Sequence, residues 1–319
     1  MLPRVFLSRR LPDAAMALLT GKVQADIWEG DTPPSPDELI KNTQGKIGLL
    51  CLLTDKITDE FLNACPDLKV VSQMAVGIDN IDIAACRSRG ILVGNTPGVL
   101  SETTADLAFA LLLSTARRMG EAELFLRNGE WKTWSPMLLT GHDVHHATIG
   151  IIGLGKIGFE MARRAHGFQM KILYYNRNRN PEAESAFGAQ YVSLDALLSQ
   201  SDFVSLHCPL TNETRGLINE EALAKMKPNC ILINTARGPV VDAGALATAL
   251  NNGQIAGAGI DVFDVEPILP ENPLISARNA ILVPHIGSAS IQTRTNMALL
   301  AVRNLIAGVY GQDLPHSVK

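Results

Sequence analysis

The sequence predicts an α/β fold built on two parallel sheets, and three observations carry that prediction. Short apolar runs alternate with helix-compatible segments along the 319-residue chain. The runs fall into two series, one on each side of a long stretch rich in alanine and leucine. Within the second series a glycine cluster, Gly153-Leu154-Gly155-Lys156-Ile157-Gly158, directly follows an apolar run and opens a helix-like segment.

The first series comprises apolar runs at 5–7, 47–53, 68–72 and 90–93, with helical segments such as 58–64 and 81–88 between them. The second comprises runs at 149–152, 171–175, 203–207, 230–234, 256–262 and 280–283. Their continuous apolar character suits strands covered on both faces, which is the condition of a parallel sheet. Residues 101–127 read as helix throughout and as a connector between domains. Beyond them, 129–146 carries Trp131, Trp134, Pro136 and three histidines without a period, and reads as an irregular arm. A final helix at 292–308 presents Met297, Leu300, Val302, Leu305 and Ile306, which can pack back on either domain. One sheet holding all these strands would exceed the usual size of a doubly wound sheet. The expected architecture is therefore a dinucleotide-binding domain inserted into a second, flavodoxin-like domain.

Charge and composition exclude several classes. Lys+Arg 28 against Asp+Glu 32 leaves a net charge of -4, which gives no electrostatic reason to expect nucleic acid or an anionic membrane as partner. No apolar run reaches the length of a membrane span, and Ser8-Arg9-Arg10 cuts short the apolar start, which reads as a first strand and not a signal peptide. Five cysteines, odd in number and without a CxxC spacing, argue against a disulfide framework or a structural zinc. They fit reduced thiols in a cytoplasm, with Cys51, Cys208 and Cys230 as small core residues.

The glycine cluster has a strand before it, a helix after it and a second strand at the spacing of a dinucleotide fingerprint. Its glycines let the backbone turn tightly and approach a pyrophosphate, which rests on the amide-rich end of the helix. An NAD-preferring site places an acid about 20 residues on, at the end of the second strand. Here that strand ends Tyr174-Tyr175-Asn176-Arg177-Asn178-Arg179, with no acid. Arg177 or Arg179 can pair with a 2′-phosphate, so NADP(H) is expected over NAD(H).

Three residues lie at the C-terminal ends of predicted strands, where α/β sheets place their sites: Arg237, Glu266 and His285. Hydride transfer to a 2-keto acid needs a cation for the carboxylate, polarisation of the carbonyl and a proton donor near neutral pH. Arg237 supplies a planar fork, and His285 an imidazole of ordinary pKa about 6.5. Glu266 within reach of His285 would orient the ring and favour its charged form. Asp261, at a strand end, could accept from the nicotinamide carboxamide. His142, His145, His146, His166 and His207 have no metal spacing with partners, and no metal is expected.

Taken together, the motifs resemble the D-isomer-specific 2-hydroxyacid dehydrogenases, and within them the glyoxylate/hydroxypyruvate reductases. The likeness rests on Gly77-Ile78-Asp79-Asn80-Ile81-Asp82, Asn95-Thr96-Pro97-Gly98-Val99-Leu100, residues 150–158, Asn234-Thr235-Ala236-Arg237-Gly238, residues 259–267, and Pro284-His285-Ile286-Gly287-Ser288. It implies that Arg237, Glu266 and His285 are the catalytic set, with His285 the acid in reduction. Val76 and Gly77 would lend backbone amides to the substrate carboxylate, and Leu53 in the loop at 52–53 would line the pocket. At the cofactor the resemblance implies Thr104, residues 153–158, Asn176, Arg177 and Asn178. It adds Cys208, Pro209 and Thr214 after one strand, Thr235 and Ala236 after the next, then Asp261 and Gly287. Asn176-Arg177 matches the NADP-using branch. The family is a homodimer whose arm, here 101–146, embraces the partner. Its domains are discontinuous: 1–99 with 288–319 as substrate domain, and 100–287 as the Rossmann NAD(P)-binding domain. The expected reaction is NADPH-dependent reduction of glyoxylate or hydroxypyruvate to glycolate or D-glycerate. Other D-2-hydroxyacid or phosphite dehydrogenases are the runners-up, and a nucleotide-sensing corepressor is the alternative from another class.

Overall fold

The computed structural model describes residues 1–318, which divide into two compact units. The first comprises Met1–Leu100 together with the residues from Ala289 onward, and the second comprises Ser101–Ser288.

In the first unit five parallel strands, β1 (Arg4–Leu7), β2 (Gln24–Ile27), β3 (Gly48–Cys51), β4 (Val70–Gln73) and β5 (Leu92–Gly94), run in the order β2-β1-β3-β4-β5. This is the flavodoxin order. The central strands β3 and β4 are buried along their whole length; β3 is free of polar side chains, whereas the buried Ser72 and Gln73 of β4 are satisfied by hydrogen bonds to the Ala301 carbonyl and to Asn80. β2 has no counterpart among the apolar runs. It is an edge strand, Gln24-Ala25-Asp26-Ile27, never fully buried, so its sequence lacks the signature of a covered strand. Side-chain caps set the helix starts: Thr58 accepts from the Phe61 amide and Asp82 from the Ala85 amide. The helices therefore run Asp59–Ala64 and Ile83–Ser88, slightly inside the expected segments.

The long final helix, Ile291–Val309, packs on β3, β4 and β5 and on the helix Asp13–Leu19. It thus completes the core of the first unit. Its Asn304 is fully buried and satisfied on both sides: Nδ2 donates to the Asn95 carbonyl at 2.9 Å, and Oδ1 accepts from the His316 amide at 3.0 Å.

In the second unit seven parallel strands run in the order β12-β11-β10-β9-β6-β7-β8. They are β6 (Thr148–Ile152), β7 (Lys171–Tyr175), β8 (Gln190–Tyr191), β9 (Phe203–Leu206), β10 (Ile231–Asn234), β11 (Gly257–Ile260) and β12 (Ala280–Leu282). The order reverses between β6 and β9, the switch point of a Rossmann sheet. β8 likewise has no counterpart in the sequence pattern, being a two-residue exposed edge with no apolar run to mark it.

The stretch 101–127 is not one helix. Ser101–Ala116 and Met119–Arg127 are separate, with Arg118 between them in the left-handed region at φ 53°. The break coincides with a contact distant in sequence: the Ala116 carbonyl accepts from the His142 amide at 2.9 Å, taking the bond that would have continued the helix. Gly141 makes that approach feasible, because a Cβ there would lie 2.0 Å from the Ala116 oxygen. Nor is the first helix a connector. It packs on β10, β11, β12 and the helix Lys156–Gly167, burying Ala105, Ala108, Leu111 and Leu112 in the second unit. Met119–Arg127, by contrast, buries none of its residues, and 129–147 contains no helix or strand. No helix among the described residues is long and apolar enough to cross a membrane.

Replacing Asn304 by alanine leaves the Asn95 carbonyl and the His316 amide without their partner in a buried setting. Asn304→Ala should lower the unfolding free energy by about 2–4 kcal/mol. Urea denaturation followed by circular dichroism checks this, and an unchanged midpoint would refute it.

Candidate active site

The glycine cluster sits at the switch point. β6 ends at Ile152, and the helix Lys156–Gly167 starts with Gly155 as its N-cap, without any side-chain cap. Gly158 fixes how closely helix and turn approach, since a Cβ there would stand 2.2 Å from the Gly153 oxygen. Around Gly155 the space is open, and Lys156 is exposed, so the first amides of the helix are accessible to a phosphate group. Two further features fit a dinucleotide. The Thr235 hydroxyl is buried without a hydrogen-bond partner among the described residues, which marks it as a group in want of a partner. Thr104, Asp261 and Gly287 form one cluster: a Cβ on Gly287 would lie 3.0 Å from Asp261 Oδ2 and 3.4 Å from Thr104 Cγ2. The loop after β9, with Cys208 and Pro209, is stitched by Thr214, whose hydroxyl donates to the Pro209 carbonyl at 2.7 Å and accepts from the Thr211 amide at 2.8 Å.

At the end of β7 the two arginines differ. Arg179 is forked onto Glu184, Nε to Oε1 at 3.0 Å and Nη2 to Oε2 at 2.8 Å, and Glu184 also accepts from Tyr174 Oη at 2.5 Å. Arg179 is thus committed to bracing its own loop, a correction to its expected availability for a 2′-phosphate. Arg177 makes no ion pair within 4 Å among the described residues. Asn176 Nδ2 donates to the Asn178 carbonyl at 3.0 Å, closing the turn that carries Arg177.

The three strand-end residues of the second unit are held by backbone contacts. Asn234, the last residue of β10, is buried and staples the following loop: its Oδ1 accepts from the Ala236 amide and its Nδ2 donates to the Arg237 carbonyl, each at 3.0 Å. Gly238 lets that loop lie on the Phe263 backbone, where a Cβ would come within 1.9 Å. Glu266 Oε1 accepts from the Phe263 amide at 3.0 Å, and Oε2 lies 2.6 Å from His285 Nδ1. Burial raises the Glu266 pKa, but the bonds from His285 and Phe263 and the Arg237 charge outweigh it and hold the carboxyl below its ordinary value. An ionised Glu266 is an acceptor only, so Nδ1 of His285 carries the proton of that bond and Nε2 remains for exchange.

His285 itself has a left-handed backbone, φ 52°, uncommon for a side chain of its size. Asp261 enforces it. The Asp261 carbonyl accepts from the His285 amide at 2.9 Å, Oδ1 from the Ile286 amide at 2.6 Å, and Oδ2 from the Gly287 amide at 2.8 Å. Both carboxylate oxygens of Asp261 are therefore engaged in holding the histidine turn, a function that its expected contact with a carboxamide did not foresee. Asn234 was also missed. The only signal for either was a polar residue closing an apolar run.

The remaining histidines stay apart. His142, His145 and His146 line a cavity of about 300 Å³ with Asp202 and Asn229, at the N-terminal edge of the sheet. His207 Nε2 pairs with Ser205 Oγ at 2.9 Å, and burial pushes its pKa down to about 4, so it is neutral at pH 7. No group of three or more His, Cys, Asp or Glu among the described residues is arranged to hold a metal. Leu53, Val76 and Gly77 lie in the first unit, just beyond the C-terminal ends of β3 and β4.

A Rossmann sheet with an open glycine turn and an Arg, Glu, His set at its strand ends defines the class of nicotinamide-dependent oxidoreductases. Residues 109–287 match the family described as D-isomer specific 2-hydroxyacid dehydrogenase, NAD binding domain. The chain is 49% identical over 319 residues to a glyoxylate reductase of Korarchaeum cryptofilum, covering 100% of this chain and 96% of that protein. It is 48% identical to a glyoxylate reductase of Thermococcus litoralis, covering 100% and 97%. Among solved structures, a protein from Thermus thermophilus superposes with a TM-score of 0.93 at 44% identity, covering 99% of this chain and 100% of that one. An NADPH-dependent glyoxylate/hydroxypyruvate reductase from Sinorhizobium meliloti, in complex with NADP and malonate, superposes with a TM-score of 0.87 at 33% identity, covering 100% and 97%. The chain belongs to the D-isomer-specific 2-hydroxyacid dehydrogenase family and is an oxidoreductase.

Burial, opposed in part by the Ile286 amide and the His285 charge, pushes Asp261 up to about 6 from an ordinary 3.8. Between those two values the folded state holds a proton that the unfolded chain has released. The stability Asp261 contributes is accordingly present at the acid end of this window and lost as pH rises through about 6. Asp261→Asn should flatten this part of the profile relative to the parent, as read from urea midpoints between pH 4 and 7; parallel profiles would refute it.

Proposed function

We propose that this chain reduces glyoxylate or hydroxypyruvate, with NADPH as the preferred cofactor, NADH second. The observation that carries the reading is the 2.6 Å contact between His285 Nδ1 and an anionic Glu266 whose carboxyl also feels the Arg237 charge. The three groups then act as a unit. Arg237 pairs with the substrate carboxylate and polarises the neighbouring carbonyl. His285 gives its Nε2 proton to the developing alkoxide, and Glu266 stabilises the ring in the charged state that precedes the transfer. Bound nicotinamide supplies the hydride. Val76 and Gly77 lend backbone amides to a substrate carboxylate, with Leu53 in a neighbouring loop of the same unit. The relatives named for glyoxylate reduction support the substrate class, and small acids suit a site with one carboxylate-binding arginine.

For the cofactor, Arg177 is the residue proposed to meet the ribose 2′-phosphate. It stands where an acid would select NAD, and Asn176 and Asn178 shape its turn. A homodimer is part of the same proposal. The arm exposes Trp131, Trp134, Met137 and Leu138, and the helix before it exposes Met119, Leu124 and Leu126, an apolar surface that a second copy would cover.

A panel of glyoxylate, hydroxypyruvate, pyruvate and phosphite, each with NADPH and NADH, tests the assignment. Activity confined to pyruvate or phosphite would overturn it. His285→Ala should lower kcat about 10²–10⁴-fold with the Kd of NADPH unchanged; near-normal turnover would remove His285 as the acid. Arg177→Ala should raise the KM of NADPH about 10–100-fold and leave that of NADH near its starting value. An unaltered NADPH/NADH ratio would eliminate Arg177 from cofactor choice.

A further inference from the structure

The loop after β4 has a one-sided pattern of hydrogen bonds. The Ala75 carbonyl accepts from the Thr96 amide at 2.9 Å, the Val76 carbonyl from Asn95 Nδ2 at 2.9 Å, and the Gly77 carbonyl from Gln73 Nε2. The amides of Val76 and Gly77 have no hydrogen-bond partner among the described residues. In a trans peptide the N–H points opposite to the C=O of the same plane. Thr96, by holding the Ala75 carbonyl, turns the Val76 N–H the other way. Asn95, by holding the Val76 carbonyl, does the same for the Gly77 N–H. Two adjacent amides without a partner among the described residues and turned away from these grips are suited to accept an anion.

The grips are themselves braced. The Asn95 amide donates to the His316 carbonyl at 3.3 Å, and the Asn95 carbonyl accepts from the buried Asn304 at 2.9 Å. Gln73, fully buried, pairs reciprocally with Asn80: Nε2 donates to Asn80 Oδ1 at 2.7 Å, and Oε1 accepts from Asn80 Nδ2 at 2.8 Å. Asn80 Nδ2 also reaches the Asp55 carbonyl at 2.7 Å and the Leu52 carbonyl at 3.1 Å, tying in the loop that holds Leu53.

We infer that Asn95 is a positioning residue for substrate binding: its side-chain amide holds the Val76–Gly77 peptide so that the Gly77 N–H faces the substrate carboxylate. The inference rests on the proposal that Val76 and Gly77 take that carboxylate. Asn95 touches no substrate and acts through the peptide plane. Losing its donor lets the peptide rotate, and the Gly77 N–H leaves its aim.

Two variants and one spectrum decide it. Asn95→Ala removes the donor. Asn95→Asp keeps the size and the backbone contacts but sets an oxygen against the Val76 carbonyl. Both should raise the KM for glyoxylate about tenfold or more, with kcat within about threefold and the Kd of NADPH unaltered. The affinity of the enzyme–NADP⁺ complex for oxalate should fall in parallel. In enzyme labelled with ¹⁵N-glycine, the Gly77 amide resonance, assigned through Gly77→Ala, should shift when oxalate is added to that complex. A wild-type Gly77 resonance that ignores oxalate would sink the carboxylate proposal and the Asn95 inference with it. A resonance that shifts, combined with wild-type KM in Asn95→Asp, would sink the Asn95 inference alone. A KM increase accompanied by equal loss of NADPH affinity would mark a general structural effect and also overturn it.

Discussion

The site of the second unit depends on a single carboxylate with its back to the sheet. Asp261 closes β11 and, through its carbonyl and both carboxylate oxygens, takes the amides of three consecutive residues, His285, Ile286 and Gly287. Without that acceptor set, the left-handed backbone at His285 would relax, because such a conformation persists only where its surroundings over-determine it. With it, the imidazole emerges in one direction, and Glu266 meets Nδ1. The arrangement separates two duties between two acids. Buried Asp261 fixes the backbone, and Glu266, half-exposed and anionic, sets the proton on the ring.

The sheet brings these groups together with little loop. β10, β11 and β12 are neighbours in parallel register, so the residues that follow each strand emerge side by side at one edge. Arg237, Glu266 and His285 are far apart in sequence yet need no long loop to meet. The glycine turn after β6 opens at the same edge, across β9. Gly238 allows two backbone segments to touch where any side chain would intervene. The fold thus converts strand order into chemical proximity.

Much of this was legible before the structure, for physical reasons that can be named. Buried parallel strands are mostly apolar, so β3, β4, β6, β9 and β10 announce themselves even though Ser72, Gln73, Ser205 and Asn234 lie buried within them. Gly153 and Gly158 are readable because backbone atoms stand within 2.5 Å of where a Cβ would lie, which leaves no alternative residue. The edge strands β2 and β8 were invisible because half their surface faces water, and the pattern that exposes a strand to reading is burial. The break at Arg117-Arg118 was hidden because the contact that coincides with it, the Ala116 carbonyl bound by His142, lies 26 residues along the chain. The commitment of Arg179 to Glu184 was hidden in the same way. Composition shows which charges a loop has, and only geometry shows which are already spoken for.

The split first unit has a consequence for synthesis. Everything that the second unit requires has left the ribosome once Ser288 is outside the tunnel. The sheet of the first hundred residues must still wait for Ile291–Val309 to cover β3, β4 and β5. Translation therefore presents the nascent chain with a later-made half that can close before the earlier-made one. The apolar faces of β3 and β4 are the surfaces that a ribosome-associated chaperone would shield during that interval.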